Sequence, residues 1–314
     1  MENKYLDNLI RRSRLIMPAN NKKFIDKAYA RNADAIVLDL EDSVADSEKV
    51  ATRELIKESI SIAGKGGSDV LVRVNHTNEL LNGDVEAAVW PGLSGIYFPK
   101  VESKHQVIEM DQLITKLEEK RGIPVGTITI GILIESIKGY MNVHEIAKAS
   151  ERIDSLTLGA EDFALDTGME VSPDTFEALL IPRMQILFAA RENGILPLGL
   201  MGSLTTYSDL NGFLESAQLA YKHGFLGASC IHPQNVEVLN KGFSPSVEDV
   251  DHAKRVIDVF EFAASEGKAA TKLDGKMIDT PHYEIAKRLL KRSVAIEKFE
   301  LKKKQAREMV INGG

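Results

Sequence analysis

Eight short apolar runs, separated by amphipathic stretches, constrain the fold of this 314-residue chain more than any other feature. Residues 35–38 read Ala-Ile-Val-Leu, and residues 130–134 read Ile-Gly-Ile-Leu-Ile. Such continuous runs are typical of parallel strands that are covered on both faces. The predicted strands are 14–19, 35–42, 69–75, 95–101, 129–135, 155–162, 196–200 and 227–233.

Helical patterns occupy the intervals between these strands, and several are followed by a glycine of the kind that ends helices. The predicted helices are 22–31, 47–63, 103–121, 138–149, 174–193 and 209–223. Eight strand–helix alternations favour an α/β fold, a TIM (β/α)8 barrel. No strand is followed by a GxGxxG turn, which argues against an open doubly wound sheet.

After residue 243 the pattern changes to two long helices, 246–266 and 281–309, joined by a predicted loop at 267–279. We therefore predict a barrel catalytic domain over residues 1–243 and a C-terminal helical lid or arm over 244–314. The arm contains more helix than a barrel requires.

Composition excludes several classes of protein. One cysteine, Cys230, rules out a disulfide scaffold and fits a reducing compartment such as the cytoplasm. No apolar run is long enough to span a membrane, and no secretory signal is evident. The net charge of −7 argues weakly against nucleic acid as a partner. Both ends of the chain are locally basic, which suits either an anionic ligand or solvated helix faces.

Ionisable residues collect at the predicted carboxyl ends of the strands, where barrel enzymes place their chemistry. Charged side chains are rarely buried unless they are paired or bound to a metal. A ring of carboxylates with one arginine and one lysine therefore suggests a cation site with an anionic ligand. The candidates are Asp39, Glu41, Asp42, Arg73, Lys100, Glu135, Glu161 and Asp162.

Glu135 and Asp162 end neighbouring strands, about 4.8 Å apart, so their carboxylates can share one ion. Oxygen ligands without His or Cys favour Mg²⁺, with Mn²⁺ possible, over Zn²⁺. The alternative is that these acids cap helices or pair with lysines. Arg73 can hold a substrate carboxylate in a bidentate fork or form a structural ion pair with Asp39, Glu41 or Asp42. Lys100 fits an ion-pair partner better than a Schiff-base lysine.

Eight motifs occur in one order along residues 12–290. They are Arg-Ser-Arg-Leu-Ile-Met-Pro at 12–18, Ala-Asp-Ala-Ile-Val-Leu-Asp-Leu-Glu-Asp-Ser-Val at 33–44, Val-Arg-Val-Asn at 72–75, Pro-Lys-Val-Glu-Ser at 99–103, Ile-Glu-Ser at 134–136, Gly-Ala-Glu-Asp at 159–162, Ile-His-Pro-Gln at 231–234 and Asp-Gly-Lys-Met-Ile-Asp at 274–279. Together they resemble the citrate lyase β-subunit-like family of the HpcH/HpaI aldolase superfamily. Relatives include malyl-CoA and citramalyl-CoA lyases.

The resemblance implies a trimeric or hexameric TIM barrel with a C-terminal lid, and Mg²⁺ on Glu135 and Asp162. Arg73 would bind a carboxylate of a 2-oxo acid, helped by backbone amides near Ala160 and Glu161. Arg14 would meet CoA phosphates. The implied substrate-binding residues are therefore Arg73, Ala160, Glu161 and Arg14.

Asp279 would act as acid or base in a neighbouring subunit's site; without the resemblance it would be interpreted as a helix N-cap.

The implied reaction is a Mg-dependent carbon–carbon cleavage, or its reverse, of a β-hydroxyacyl-CoA such as malyl-, citramalyl- or citryl-CoA, giving acetyl-CoA and a 2-oxo acid. One alternative is the citryl-ACP lyase β subunit of a citrate lyase complex, with an acyl carrier protein as partner. Another is a class II pyruvate aldolase, which the missing His after the second strand disfavours. Residues 198–201 lack the acid that many relatives have after the seventh strand, which leaves substrate identity open.

Overall fold

The computed structural model describes residues 5–170, 172–203 and 207–312. Its main sheet has eight parallel strands, in which consecutive strands from the first to the seventh pair with one another and the first also pairs with the eighth. The strands are β1 (Ser13–Pro18), β2 (Ala35–Asp39), β3 (Asp69–Arg73), β4 (Gly95–Phe98), β5 (Thr129–Ile134), β6 (Ile153–Leu158), β7 (Leu196–Leu198) and β8 (Ala228–Cys230). This arrangement confirms the predicted (β/α)8 barrel.

The barrel closes between β7 and β8 through backbone hydrogen bonds at the strand ends. The amide of Gly199 donates to the carbonyl of Gly227 at 2.9 Å, and Leu226 donates to Pro197 at 3.0 Å. Both strands are three residues long, shorter than predicted. A proline within β7 has no amide to donate to a ladder, which limits its pairing.

Strand β6 also ends earlier than predicted, because residues 160–167 form a helix. The helices that surround the barrel are α1 (Lys22–Ile25), α2 (Lys49–Gly64), α3 (Asn78–Ala88), α4 (Lys104–Arg121), α5 (Ile137–Met141), α6 (Val143–Ala147), α7 (Ala160–Thr167), α8 (Leu180–Glu192), α9 (Leu210–His223) and α10 (Asn235–Gly242). The 3₁₀ turns Ala28–Arg31, Asp46–Glu48 and Pro173–Leu179 join them.

Three predicted helices are interrupted in the structure. The helix predicted at 22–31 divides into α1 and a 3₁₀ turn, and the one at 138–149 divides at Asn142 into α5 and α6. The one at 174–193 begins as a 3₁₀ helix before α8. Hydrophobic spacing is similar in an α-helix and in short 3₁₀ pieces, so the pattern does not reveal these breaks.

Two hydrophobic layers account for the unbroken apolar runs of the strands. In β2, Ile36 and Leu38 face the outer layer of helices, whereas Ala35 and Val37 face the barrel interior. All four are fully buried. Strands buried on both faces lose the alternation that marks a solvent-exposed sheet.

The C-terminal segment consists of α11 (Val247–Ser265), a hairpin of β9 (Thr271–Leu273) and β10 (Lys276–Ile278), and the 33-residue helix α12 (Thr280–Asn312). The hairpin lies in the predicted loop. Its turn uses positive φ at Asp274 and Gly275, as a type I′ turn requires. Ile278, Val256 and Ala286 belong to a small core of this arm. No helix in the described ranges is both long and apolar enough to cross a membrane.

Helix α12 runs from the arm back to the amino-terminal end of the barrel. There Lys303, fully buried, donates to the Asp34 carboxylate at 2.7 Å, and Arg12 binds the same carboxylate at 2.8 and 2.9 Å. Glu300 pairs with both cations. We call Arg12, Asp34, Glu300 and Lys303 the basal ion cluster. The end of α12 thus packs against the barrel and not only within the arm. The domain boundary at 243/244 remains a prediction.

Candidate active site

A cavity of about 510 Å³ opens at the carboxyl ends of the strands, and residues on or directly after all eight strands line it. Ionisable groups from β2, β3, β5 and β6 line one side. Leucines at the ends of β6 and β7, with Phe225 and Ile231 beside β8, form an apolar wall on the other side. This distribution suits a ligand with one polar and one less polar end.

Arg73 and Asp39 form a bidentate ion pair at the edge of the cavity. Nε and Nη2 of Arg73 donate to the two carboxylate oxygens of Asp39 at 2.6 and 2.7 Å. The backbone amide of Ser43 holds the same carboxylate at 3.0 Å. Burial would raise the pKa of Asp39, but hydrogen bonds from Arg73 and Ser43 outweigh burial and lower it. Asp39 therefore fixes Arg73, whose Nη1 faces the remaining acids.

Glu41 lies between the two cations of the rim. Its carboxylate oxygens are 2.9 Å from Nη1 of Arg73 and 3.2 Å from Nζ of Lys100, but neither contact is aligned as a hydrogen bond. Asp42 shares the same cations at 3.1 and 3.9 Å. Burial, against the opposing charge of Arg73, raises the pKa of Glu41 to about 7.

Glu135 follows β5 and is held in place by backbone on two sides. The amide of Lys100, a residue with φ of 51°, donates to its carboxylate at 2.9 Å. A Cβ at Gly159 would lie 2.5 Å from its Cγ, so only glycine fits there. Burial, the charge of Glu41 and that of Asp162 raise the pKa of Glu135 to about 8.

Asp162 lies in the first turn of α7, beside Glu161 and Ala160, and all three line the cavity. The first amides of a helix have no acceptor within the helix, so this turn presents N–H groups together with carboxylates. Glu161 accepts a hydrogen bond from Ser203 at 2.7 Å. Asp162 and Glu135 thus belong to one rim acid cluster with Asp39, Glu41 and Asp42.

The rim acid cluster fits a divalent cation. It places five carboxylates around two cations, Arg73 and Lys100, and the buried oxygens of Glu41 have no aligned donor. In the part of the chain that the structure describes, no three His, Cys, Asp or Glu side chains form a metal-binding group. Glu135 and Asp162 could supply two oxygen ligands, since Mg²⁺ commonly takes one or two carboxylates together with water and substrate oxygens.

Arg14, which the resemblance assigned to CoA phosphates, does not lie at the rim of the cavity. It points into the barrel interior and is fully buried, with Nη2 donating to hydroxyls of Tyr97 and Thr157 at 3.2 and 2.8 Å. A phosphate on the barrel surface does not reach this position. Inward-facing positions alternate along β1, and Ile16 occupies the next one toward the rim.

Asp279 lies between the hairpin and α12 in the arm, where it pairs with His282 and lines none of the described cavities. The hydrogen bond from His282 lowers the pKa of Asp279. His232, after β8, is exposed, and its ring stacks on that of Tyr207 with the ring centroids 5.4 Å apart. Cys230 is buried, which raises the pKa of its thiol to about 12.

Sequence reasoning gave no role to Tyr97, Thr157, Gly159 or Arg183, which are among the residues that line the cavity. The first three are at inward positions of β4 and β6, or directly after β6, and the period of two along each strand would have found them. Arg183 comes from α8, and burial lowers its pKa to about 10. No strand-end pattern points to a residue on a helix.

The closed parallel barrel with acids after β2, β5 and β6 has the architecture of TIM-barrel enzymes, whose sites lie at this end. More narrowly, the chain belongs to the HpcH/HpaI aldolase/citrate lyase family, whose model matches residues 12–233. This match confirms the family resemblance in the sequence motifs.

Known relatives extend over nearly the full chain. A citrate lyase subunit beta from Leuconostoc mesenteroides subsp. cremoris is 36% identical and aligns over 90% of this chain and 93% of its own. A (3S)-malyl-CoA thioesterase from Cereibacter sphaeroides is 30% identical over 92% and 96%. The solved structure of CitE from Mycobacterium tuberculosis with magnesium, acetoacetate and coenzyme A is 29% identical, with a TM-score of 0.71 over 90% and 97%.

Proposed function

We propose that this protein is a Mg²⁺-dependent carbon–carbon lyase that cleaves, or forms, a β-hydroxyacyl-CoA. The observation that carries the proposal is the rim acid cluster, which has more buried acids than cations at the active-site end of the barrel. The magnesium, acetoacetate and coenzyme A named for the CitE structure support the same ligand classes here. The products would be acetyl-CoA and a 2-oxo acid.

In the proposed cleavage, the β-hydroxyl loses its proton and the bond between the α and β carbons breaks. The bonding electrons pass to the thioester as an enolate, which takes one proton at its α carbon. Mg²⁺, when bound, supplies Lewis acidity that stabilises negative charge on oxygen. Glu135 and Asp162 would hold the ion.

Substrate positioning would come from Arg73 and from α7. Asp39 occupies the Nε–Nη2 edge of Arg73, so a substrate carboxylate would use the edge that carries Nη1. The first-turn amides of Ala160 and Glu161 would donate to a substrate oxygen. Holding the reacting groups in one orientation can supply a large part of the rate enhancement.

A second cavity, of about 650 Å³, adjoins the first and supports a thioester substrate. The two share Ile16, Met17, Pro18 and Ile231 as lining residues. Its own lining includes Phe24, Arg31 and His232, which suits the less polar arm and anionic end of a coenzyme A group. The acyl end would then enter the metal-binding cavity.

Asp279 is proposed as the group that protonates the enolate, acting in a neighbouring subunit of a homotrimer or hexamer. Its carboxylate belongs to the arm and lines neither cavity of its own chain, which supports action in a neighbour. Met277, two residues earlier, exposes 61% of its surface in the isolated chain. An apolar side chain there suits packing against another subunit.

A spectrophotometric screen of malyl-, citramalyl- and citryl-CoA, with and without Mg²⁺, tests the proposal. We expect cleavage of at least one thioester, lost on chelation and restored by Mg²⁺. Asp279→Asn should keep Mg²⁺ binding and lose turnover, and wild-type turnover in that variant would exclude its role. Cleavage that persists in a chelator would contradict the metal-dependent route.

A second candidate is favoured by the relatives that are citrate lyase beta subunits. In this case the thioester would be carried by an acyl carrier protein instead of free coenzyme A. Cleavage of citryl-carrier protein, with no cleavage of any of the three CoA esters, would support this candidate. Hydrolysis of malyl-CoA without carbon–carbon cleavage would instead indicate a thioesterase, like the relative of that name.

A further inference from the structure

Arg14 is a fully buried cation in the barrel interior, and its hydrogen bonds to described residues use a single guanidinium nitrogen. Nη2 donates to Oη of Tyr97 at 3.2 Å and to Oγ1 of Thr157 at 2.8 Å, and the Tyr97 ring centroid lies 4.4 Å from the guanidinium carbon. Nε and Nη1 are buried and have no acceptor among the described residues. Because arginine does not lose its proton in proteins, a positive charge remains at this place.

The charge of Arg14 lacks the carboxylate that balances other buried arginines of the barrel. Arg12 is paired with Asp34, and Arg73 is paired with Asp39. Arg14 forms no ion pair within the ranges that the structure describes. Burying a cation without a counter-charge is costly, and an aromatic ring with two hydroxyl oxygens offsets only part of that cost. An anion bound beside the guanidinium would offset more of it.

Ser229 supplies a further donor at the same height of the barrel. It is the residue of β8 that lies beside Arg14 in the ladder between β8 and β1, and it lines the cavity. Its Oγ is buried and has no hydrogen-bond partner in the described part of the chain. Arginine can only donate hydrogen bonds, and a hydroxyl group can also donate. Two nitrogens and one hydroxyl group that lack acceptors therefore share this layer of the barrel.

We propose that this layer binds one chloride ion, held by Nε of Arg14 and Oγ of Ser229 beneath the candidate active site. Nε is the guanidinium nitrogen nearest to β1 along the side chain, and β8 is the neighbour of β1. A spherical anion accepts hydrogen bonds from any direction, so it can use donors from different strands. Water would accept the same hydrogen bonds but would leave the charge of Arg14 unbalanced.

The chloride ion fixes the floor of the cavity. Tyr97 and Thr157 both line the cavity, and both accept a hydrogen bond from Arg14. An anion that holds the guanidinium keeps these two oxygens as acceptors, and each hydroxyl proton is directed away from Arg14. This all-donor site is the opposite of the rim acid cluster, whose carboxylates fit a cation. The inference goes beyond the proposed lyase and does not depend on Mg²⁺.

Thermal unfolding of the full chain at constant ionic strength tests this inference, with sodium methanesulfonate replaced stepwise by sodium chloride. Neither Mg²⁺ nor a 2-oxo acid is added, so that any effect comes from the halide. The melting temperature should rise by roughly 2 °C for each tenfold increase in chloride above its dissociation constant. A melting temperature that does not respond to chloride would overturn the proposal.

Three variants separate this site from other effects of salt. Arg14→Met removes the cation and should abolish the chloride dependence. Ser229→Ala removes one donor and should raise the chloride dissociation constant severalfold. Ser155→Ala is the matched control, because Ser155 is a buried serine of β6 whose Oγ already donates to Asp154 at 2.7 Å, and it should keep the wild-type dependence. A chloride response that survives both Arg14→Met and Ser229→Ala would overturn the proposal.

Crystals of the full chain grown in sodium bromide locate the ion, because bromide scatters anomalously. We expect an anomalous peak within hydrogen-bond distance of Nε of Arg14 and Oγ of Ser229, and we expect its loss in Arg14→Met. Circular dichroism identifies a variant that does not fold, and Ser229→Ala then carries the test. Water at this position, or halide peaks only elsewhere, would overturn the chloride site and leave the proposed lyase intact.

Discussion

Two buried ion clusters, at opposite ends of the barrel, are built on the same pair of residue types. At the amino-terminal end Arg12 binds Asp34, and at the carboxyl end Arg73 binds Asp39, each through two guanidinium nitrogens. The basal ion cluster then balances two cations against two acids. The rim acid cluster adds four more carboxylates and one more cation, Lys100.

Because of this difference in balance, the net pKa shifts of Asp34 and Glu135 have opposite directions. Burial would raise the pKa of Asp34, but hydrogen bonds from Arg12 and the charge of Lys303 outweigh it and lower the pKa. Burial raises the pKa of Glu135 to about 8, because neighbouring acids add to it. The basal ion cluster therefore stabilises the fold, whereas the rim acid cluster is costly until a proton or a metal ion relieves its repulsion.

Glu135→Gln should have the largest effect, on the rim. It removes a proposed metal ligand, and we expect Mg²⁺-dependent cleavage to fall by roughly 10³-fold, since Lewis-acid stabilisation is worth several kcal/mol. The melting temperature of the metal-free protein should not fall, because Gln closely matches the protonated side chain that the raised pKa of Glu135 implies near neutral pH. Steady-state kinetics and calorimetric Mg²⁺ titration measure both. Full activity in this variant would exclude Glu135 as a ligand.

Asp34→Asn should show the opposite pattern. It leaves Lys303 and Arg12 buried without their shared carboxylate, which costs about 3–5 kcal/mol in comparable pairs. Urea unfolding should detect this loss, while the folded fraction keeps its Mg²⁺ affinity. Glu300→Gln, at a half-exposed position, is the matched control and should cost less. A loss of metal binding in Asp34→Asn would show that the two ends are coupled.

Gly159→Ala tests the contact that orients Glu135. The new Cβ would displace the carboxylate, because its Cγ lies within 2.5 Å. Residues that orient metal ligands typically change affinity by about 10–100-fold, and we expect a loss of Mg²⁺ affinity in that range. Gly122→Ala is the control for a glycine outside the site, although its positive φ predicts a small loss of stability. Unchanged Mg²⁺ affinity in Gly159→Ala would contradict this role.

The pH dependence should differ in sign between the two clusters. Glu135 holds its proton up to about pH 8 when folded and to about 4.5 when unfolded, so its contribution to stability is present at low pH and is lost as pH rises through that window. Asp34 contributes to folding stability at pH values above its unfolded pKa, and this contribution is lost as pH falls through its lowered folded pKa. If Glu135 holds Mg²⁺ as proposed, the ion must displace the Glu135 proton, so Mg²⁺ affinity should rise by at most about tenfold per pH unit below pH 8. Calorimetry from pH 6 to 8 should find this rise in the wild type and a smaller one in Glu135→Gln.

The sequence predicted those parts of the molecule that depend on local pattern. The strand that ends at Ile134 and the acid after it follow from a continuous apolar run, because a barrel exposes the residues that follow its strands. The helix at α11 follows from its capping residue Ser246 and hydrophobic spacing. The turn at Asp274–Gly275 also carries a hairpin signal, which the predicted loop did not use.

Contacts between residues distant in the chain could not be predicted in the same way. Arg14 and Thr157 are 143 residues apart, and Lys303 and Asp34 are 269 apart. Whether Arg14 on β1 faces the barrel interior or the surrounding helices depends on the register of the strand, since a shift of one residue exchanges the two faces.

The position of Lys303 has a consequence for how the chain is made. Arg12 and Asp34 leave the ribosome together, whereas Lys303 follows after 269 more residues, roughly 10–50 s later at usual rates of synthesis. Lys303 is synthesised directly after Glu300, which lies three residues earlier and 3.2 Å from Lys303 in the folded protein. The pair Arg12 and Asp34 and the pair Glu300 and Lys303 are therefore each neutral when synthesised. The nascent barrel then has no unpaired charge at this position before α12 is complete.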